Sequence, residues 1–153
     1  MMTADLTGAL LDYWVAHADE SWNWAHVLFP TMTLDPTFKG AMYDGTRTNF
    51  YGASSPACFL VPNNPFRQDH KLFAPSTYWE HGGPIIERER IGINLHCSGW
   101  AWGAWISSPC YESNDPDQIG HTPLIAAMRA IVARKFGNEV PDPDTWAPGT
   151  EVA

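Results

Sequence analysis

A chain of 153 residues with 17 acidic and nine basic side chains, formally −8 at pH 7, is the size of one ordinary domain. Its Lys and Arg are scattered from Lys39 to Lys135, so the concentrated positive charge that phosphate backbones require is missing and nucleic acid is not an expected partner. No run approaches the roughly 18 apolar residues of a membrane span; the start, Met1-Met2-Thr3-Ala4-Asp5, has neither a basic nor an apolar leader region, and a cytoplasmic protein without a membrane partner is expected.

Hydrophobic residues make up 44% of the chain and charged residues only 17%, with eight Trp, seven Phe and five Tyr. Aromatic surface on this scale goes to a core first and to a subunit interface or ligand groove second. Self-association as a homodimer or higher oligomer is therefore expected. Cys58, Cys97 and Cys110 form neither a CxxC pair nor an even-numbered framework, which is the pattern of reduced thiols.

Residues 3–18 read as an amphipathic helix capped by Thr3 or Asp5, with Leu6, Leu10, Leu11, Trp14 and Ala18 at helical spacing. Gly8, a poor helix former, suggests the close approach of another backbone. Residues 19–73 are broken by Pro30, Pro36, Pro56, Pro62 and Pro65, and predict irregular, packed structure. Within them Ala57-Cys58-Phe59-Leu60-Val61 reads as a short strand, and Trp22 to Phe29 as a short helix or the rim of a pocket.

Ser76 is placed to cap a helix beginning at Thr77-Tyr78-Trp79. Gly82-Gly83-Pro84 then predicts an interruption, a tight turn in preference to an anion-binding loop, with Pro84 opening a continuation through Ile85, Ile86 and Glu87. The alternation of Ile91, Ile93, Leu95 and Cys97 with Gly92, Asn94 and His96 predicts a strand with one buried face, Cys97 included. Ser98-Gly99 is a two-residue turn candidate, followed by Trp100, Trp102, Ala104 and Ile106 on one phase and Trp105 on the other. The last helix is marked at both ends: Thr122 as N-cap, Pro123 at the first position, Arg134 and Lys135 in the last turn, Gly137 beyond it. Its apolar stripe is Leu124, Ile125, Met128, Ile131 and Val132. The remainder, 142–153, is an extended Pro-rich tail that Trp146 can pin to the body.

These elements predict a single α+β domain over 1–153: a small antiparallel sheet centred on a 91–107 hairpin, with the N- and C-terminal helices packed on it.

Ser76-Thr-x-Trp-x-x-Gly-Gly-Pro-Ile-Ile-Glu87 and Thr122-Pro-Leu-Ile-Ala-Ala-Met-Arg129 resemble the signatures of the NinX-like proteins of phages and prophages, as does Leu6-Thr-Gly-Ala-x-Leu-Asp12 ahead of them. The resemblance covers residues 6–18 and 74–141. It implies a setting in a phage-infected host cell and no particular reaction.

Chemistry has few anchors. His81, His96 and His121, with Cys97 or Glu80 nearby, are the candidates for a metal-dependent enzyme, but none stands at a recognised ligand spacing. No GxSxG elbow or reactive-cysteine motif is present, and Glu87 with Glu89 has no support as an acid/base pair. No catalytic residue, metal or cofactor is expected. The surface left for function is the Trp-rich hairpin. Trp79, Trp100, Trp102 and Arg129 are the candidate ligand-binding residues, suited to a host protein or a small planar, nucleotide-like ligand. Arg129 is expected on the rim, where its loss would weaken binding and spare the fold; the alternative is a salt bridge from Arg129 to Glu87 or Glu89.

Overall fold

The computed structural model describes residues 1–19, 31–35, 57–61, 71–109 and 115–146, with the backbone alone for 31–35, 57–61 and 71–72. The architecture is α+β. It is laid around the helix Pro123–Phe136, whose Leu124, Ala126, Ala127, Met128, Ala130, Ile131 and Val132 are all buried. A helix apolar on nearly every side belongs at the centre of a core.

In chain order the elements are α1 (Gly8–Ala18), β1 (Thr31–Asp35), β2 (Ala57–Val61), β3 (Lys71–Leu72), α2 (Trp79–Glu89), β4 (Gly92–Leu95), β5 (Trp102–Trp105), β6 (Gln118–Gly120) and α3 (Pro123–Phe136). The strands form two antiparallel sheets, β1-β2-β3 and β4-β5-β6. Helix α3 covers the second sheet; α1 packs on α3 and on the first sheet. The strand expected at 57–61 is present, and it is the middle strand of a sheet. The irregular structure expected over 19–73 gives way at 31–35, 57–61 and 71–72 to this sheet, whose two outer strands carry no periodic signal long enough to read. Trp22 to Phe29 lies outside the described residues.

The N-terminal helix begins later than its apolar spacing suggests. Thr3–Asp5 form a separate 3₁₀ turn, Thr7 precedes α1 in extended conformation, and neither Thr3 nor Asp5 caps it. Thr3 is instead tied to the end of α3, its N–H donating to Asn138 O at 2.8 Å and its hydroxyl to Gly137 O at 2.7 Å. Gly8 has φ +56°, and among the described residues nothing stands where its side chain would be, so its role is conformational. Along α1, Leu11, Trp14 and Val15 are wholly buried. Trp14 meets Phe136 and Trp146 edge-on at centroid separations of 5.1 Å each. The tail is thus pinned by Trp146 as expected, through a turn in which Trp146 N–H donates to Asp142 O at 3.0 Å.

Helix α2 runs without interruption through Gly82, Gly83 and Pro84. Proline removes one intrahelical bond, but Pro84 and Glu80, the residue whose carbonyl loses that donor, are both on the exposed face. Gly82 is required by contact: a Cβ there would collide with the Pro75 carbonyl and stand 2.7 Å from Leu124 Cδ2. Ser76 does not cap α2; Tyr78 holds that position without a side-chain bond. At the other end Arg90 adopts the left-handed conformation (φ 52°) and Ile91 N–H closes back on Ile86 O at 3.0 Å, delivering the chain directly into β4. The α3 cap is as the sequence indicates, with Thr122 Oγ1 accepting from Ile125 N–H at 3.1 Å and Gly137 at the far end.

Candidate binding site

The segments with the Leu6–Asp12, Ser76–Glu87 and Thr122–Arg129 signatures meet inside the molecule. Asp12, 2% exposed, accepts the Ser76 N–H at 2.8 Å. Burial raises the Asp12 carboxyl to about 7, against the lowering effect of its hydrogen bonds from Ser76. Arg129, 8% exposed, donates from Nε to Leu6 O at 2.9 Å and from Nη1 to Ile119 O at 2.8 Å. Gly82 packs against Leu124. These residues hold α1, α2 and α3 together.

The two expectations for Arg129 are corrected by this geometry. It is not a rim charge, because its guanidinium satisfies two backbone carbonyls. Nor does it bridge to Glu87 or Glu89. Glu89 instead takes Arg134 Nη2 at 2.8 Å and Arg88 Nε at 3.3 Å. Burial alone would push Glu89 up, but these two cations hold it below the usual carboxylate range. Arg88 also reaches the buried Asp19 at 2.6 Å, so the alternating charges of 87–90 serve to link the ends of α1, α2 and α3.

The hairpin has a longer tip than Ser98-Gly99 suggests. The Leu95↔Trp102 pair is its last strand pair, His96 N–H donates to Ala101 O at 2.8 Å, and Cys97 to Trp100 form a four-residue loop. Gly99 takes φ +76°, and the Ser98 hydroxyl lies 3.0 Å from His96 Nδ1. The buried face ends early: Ile91 is buried and Ile93 half-buried, while Leu95 and Cys97 are exposed, so Cys97 is not a core residue. Trp100 stands at the tip 89% exposed, and Trp102 is half-buried against the core. Trp105 is buried with its ring over Gly103, where a Cβ would lie 2.8 Å from the indole and 3.0 Å from Pro116.

Beside the hairpin, β6 and α3 frame a depression of about 340 Å³ whose wall includes Ala101, Pro116, Gln118, His121 and Arg129. Trp102 pairs with Gly120 of the same wall, and Trp100 directly precedes Ala101. Of the candidate binding residues only Arg129 is part of the wall; Trp102 adjoins it through its backbone pairing with Gly120. Trp79, 57% exposed, sits on α2 with its ring 3.8 Å from where a Gly83 Cβ would be, outside the depression's wall. Gln118 carries no motif that singles it out, and the sequence offers His121 only as a candidate metal ligand. Asp12 and Ser76 had one signal, a carboxylate set among apolar positions of a helix.

The histidine set does not gather. His81 Nδ1 accepts the Ala74 N–H at 3.1 Å, His96 is tied to Ser98, and His121 is exposed. Among the described residues no group of three or more His, Cys, Asp or Glu is placed to hold a metal. No described helix is long and apolar enough to cross a membrane.

Compared with known families, residues 2–135 match the family model described as bacteriophage P22, NinX. The match runs through 19–73, which the signature segments alone do not cover, and stops before the Pro-rich tail. No curated protein matches the chain.

Proposed function

The chain belongs to the NinX family of phage proteins, and from that premise we propose that it is a phage accessory protein acting by non-catalytic binding in the host cytoplasm. The occupant is a host protein or a small planar, nucleotide-like ligand. The observation that carries this is Trp100, held 89% exposed on a braced hairpin tip next to a depression walled in part by Arg129. Holding an indole in water forgoes the burial of an aromatic side chain, on the order of 2 kcal/mol; exposed aromatics beside a concave surface are a common anchor of binding sites. Self-association extends the proposal: Tyr78, Trp79, Leu95 and Ile119 are also exposed, and sedimentation at micromolar concentration is expected to give a species larger than 17.1 kDa.

Indole N–H NMR signals test the proposal. Small planar ligands, nucleosides among them, and fractions of host extract are titrated in turn. The signals of Trp100 and Trp102 should move while those of Trp14 and Trp146, whose indole N–H groups are buried, stay fixed. Shifts confined to the buried indoles, or none across the whole series, would reject it.

A further inference from the structure

We propose that residues 141–146 are an autoinhibitory strap, in which Trp146 plugs an aromatic seat on α1 and α3 that takes an indole in trans once the strap swings away. The inference stands apart from the hairpin and from the binding role proposed above.

The first observation is how little ties the strap down. Up to Val140 the chain is held by backbone bonds, Thr3 N–H donating to Asn138 O at 2.8 Å and Val140 N–H to Met1 O at 2.9 Å. Beyond Val140, the hydrogen bonds among described residues stay inside the strap. The N–H groups of Asp144, Thr145 and Trp146 and the Thr145 hydroxyl all turn back on Asp142. Pro141 and Pro143 have no N–H to offer the body. Asp142, Asp144 and Thr145 are exposed, so the large side chain that the strap lays on the body is Trp146.

The second observation is the seat itself. The Trp146 ring meets His17 at 4.6 Å, Trp14 at 5.1 Å and Phe136 at 5.9 Å between centroids, edge-on in each case. Trp14 and His17 stand three residues apart on one face of α1, and Phe136 ends α3. Edge-to-face contacts on three sides select a flat aromatic ring. None of them requires that the ring belong to the same chain. Trp14 and His17 lie inside the family-matched residues 2–135 and Trp146 outside them, so the α1 wall of the seat and its plug come from different parts of the chain.

The third observation concerns the closed state. Nε1 of Trp14 and Nε1 of Trp146 are both buried, and neither has an acceptor among the described residues. A buried N–H without an acceptor gives back part of what burial of the ring gains. Swinging out returns the Trp146 N–H to water. A plug held through one ring and penalised by its own N–H opens without the rest of the fold.

Hydrogen exchange on the intact chain tests the opening. The Trp146 indole N–H should be at least a hundred-fold less protected than the Ile131 and Val132 amides of α3, and its exchange should not respond to low urea. Protection and urea dependence equal to those of α3 would mean that the strap leaves only on global unfolding, and would overturn the inference. The seat is tested with indole itself as the probe, added to the full-length Trp146→Ala variant and to the natural chain. Indole should shift the Trp14 indole signal of the variant and bind it at least ten-fold more tightly, because in the natural chain only the open fraction is free to bind. Equal binding to both chains, or none to the variant, would also overturn it. If the variant does not fold, exchange in the natural chain decides.

Discussion

The Ser76 N–H donates to Asp12 Oδ1 at 2.8 Å across 64 residues of sequence, and both residues are almost wholly shielded from water. A buried carboxyl retaining its proton to about pH 7, while the unfolded chain loses it near 4, makes folding pH-dependent. Between those values the native state binds more protons than the unfolded one, so this group's contribution falls as pH rises and levels off above about 7. The slope is on the order of 1 kcal/mol per pH unit. Asp12→Asn keeps an acceptor for Ser76 and has no charge to bury. Urea melts from pH 4.5 to 8 should show its stability rising relative to the natural chain as pH increases. Parallel profiles would show that Asp12 titrates normally.

Gly82 and Gly83 are neighbours in α2 with opposite surroundings. Alanine normally favours a helix by roughly 1 kcal/mol over glycine. At Gly83 a Cβ meets only Trp79 Cε3 at 3.8 Å, an ordinary contact, so Gly83→Ala should be neutral or stabilising by about that amount. At Gly82 the new methyl meets the Pro75 carbonyl and Leu124, and Gly82→Ala should cost about 1–3 kcal/mol. Equal effects at the two positions in urea melts would contradict this packing.

Arg129→Ala should destabilise the fold on the order of 3 kcal/mol, because it leaves the Leu6 and Ile119 carbonyls without their donor. A change below about 0.5 kcal/mol in urea melts would return Arg129 to the rim.

The fold was legible where local signals agree. In α3, Thr122, Pro123, the apolar stripe and Gly137 all point to the same boundaries, and the structure keeps them. The 91–107 alternation gave the hairpin, but alternation cannot say where a strand leaves the core, so Leu95 and Cys97 read as buried. Gly82-Gly83-Pro84 spells a turn locally; the contact of Gly82 with Pro75 and Leu124, and an outward-facing Pro84, make it helix instead. Of the four candidate binding residues only Arg129 forms part of the depression's wall. The role of Arg129 was hidden because its partners are backbone carbonyls, to which no sequence motif points.

Trp100→Ala tests the central claim, that binding is carried by an exposed hairpin indole separate from the groups that hold the fold. Stability by urea melt and the Trp102 indole response to bound ligand are measured on the same sample. The account predicts stability within about 0.5 kcal/mol of the natural chain, since Trp100 is 89% exposed, together with loss of the ligand response. Unchanged ligand response in a stable variant, or a large loss of stability, would contradict it.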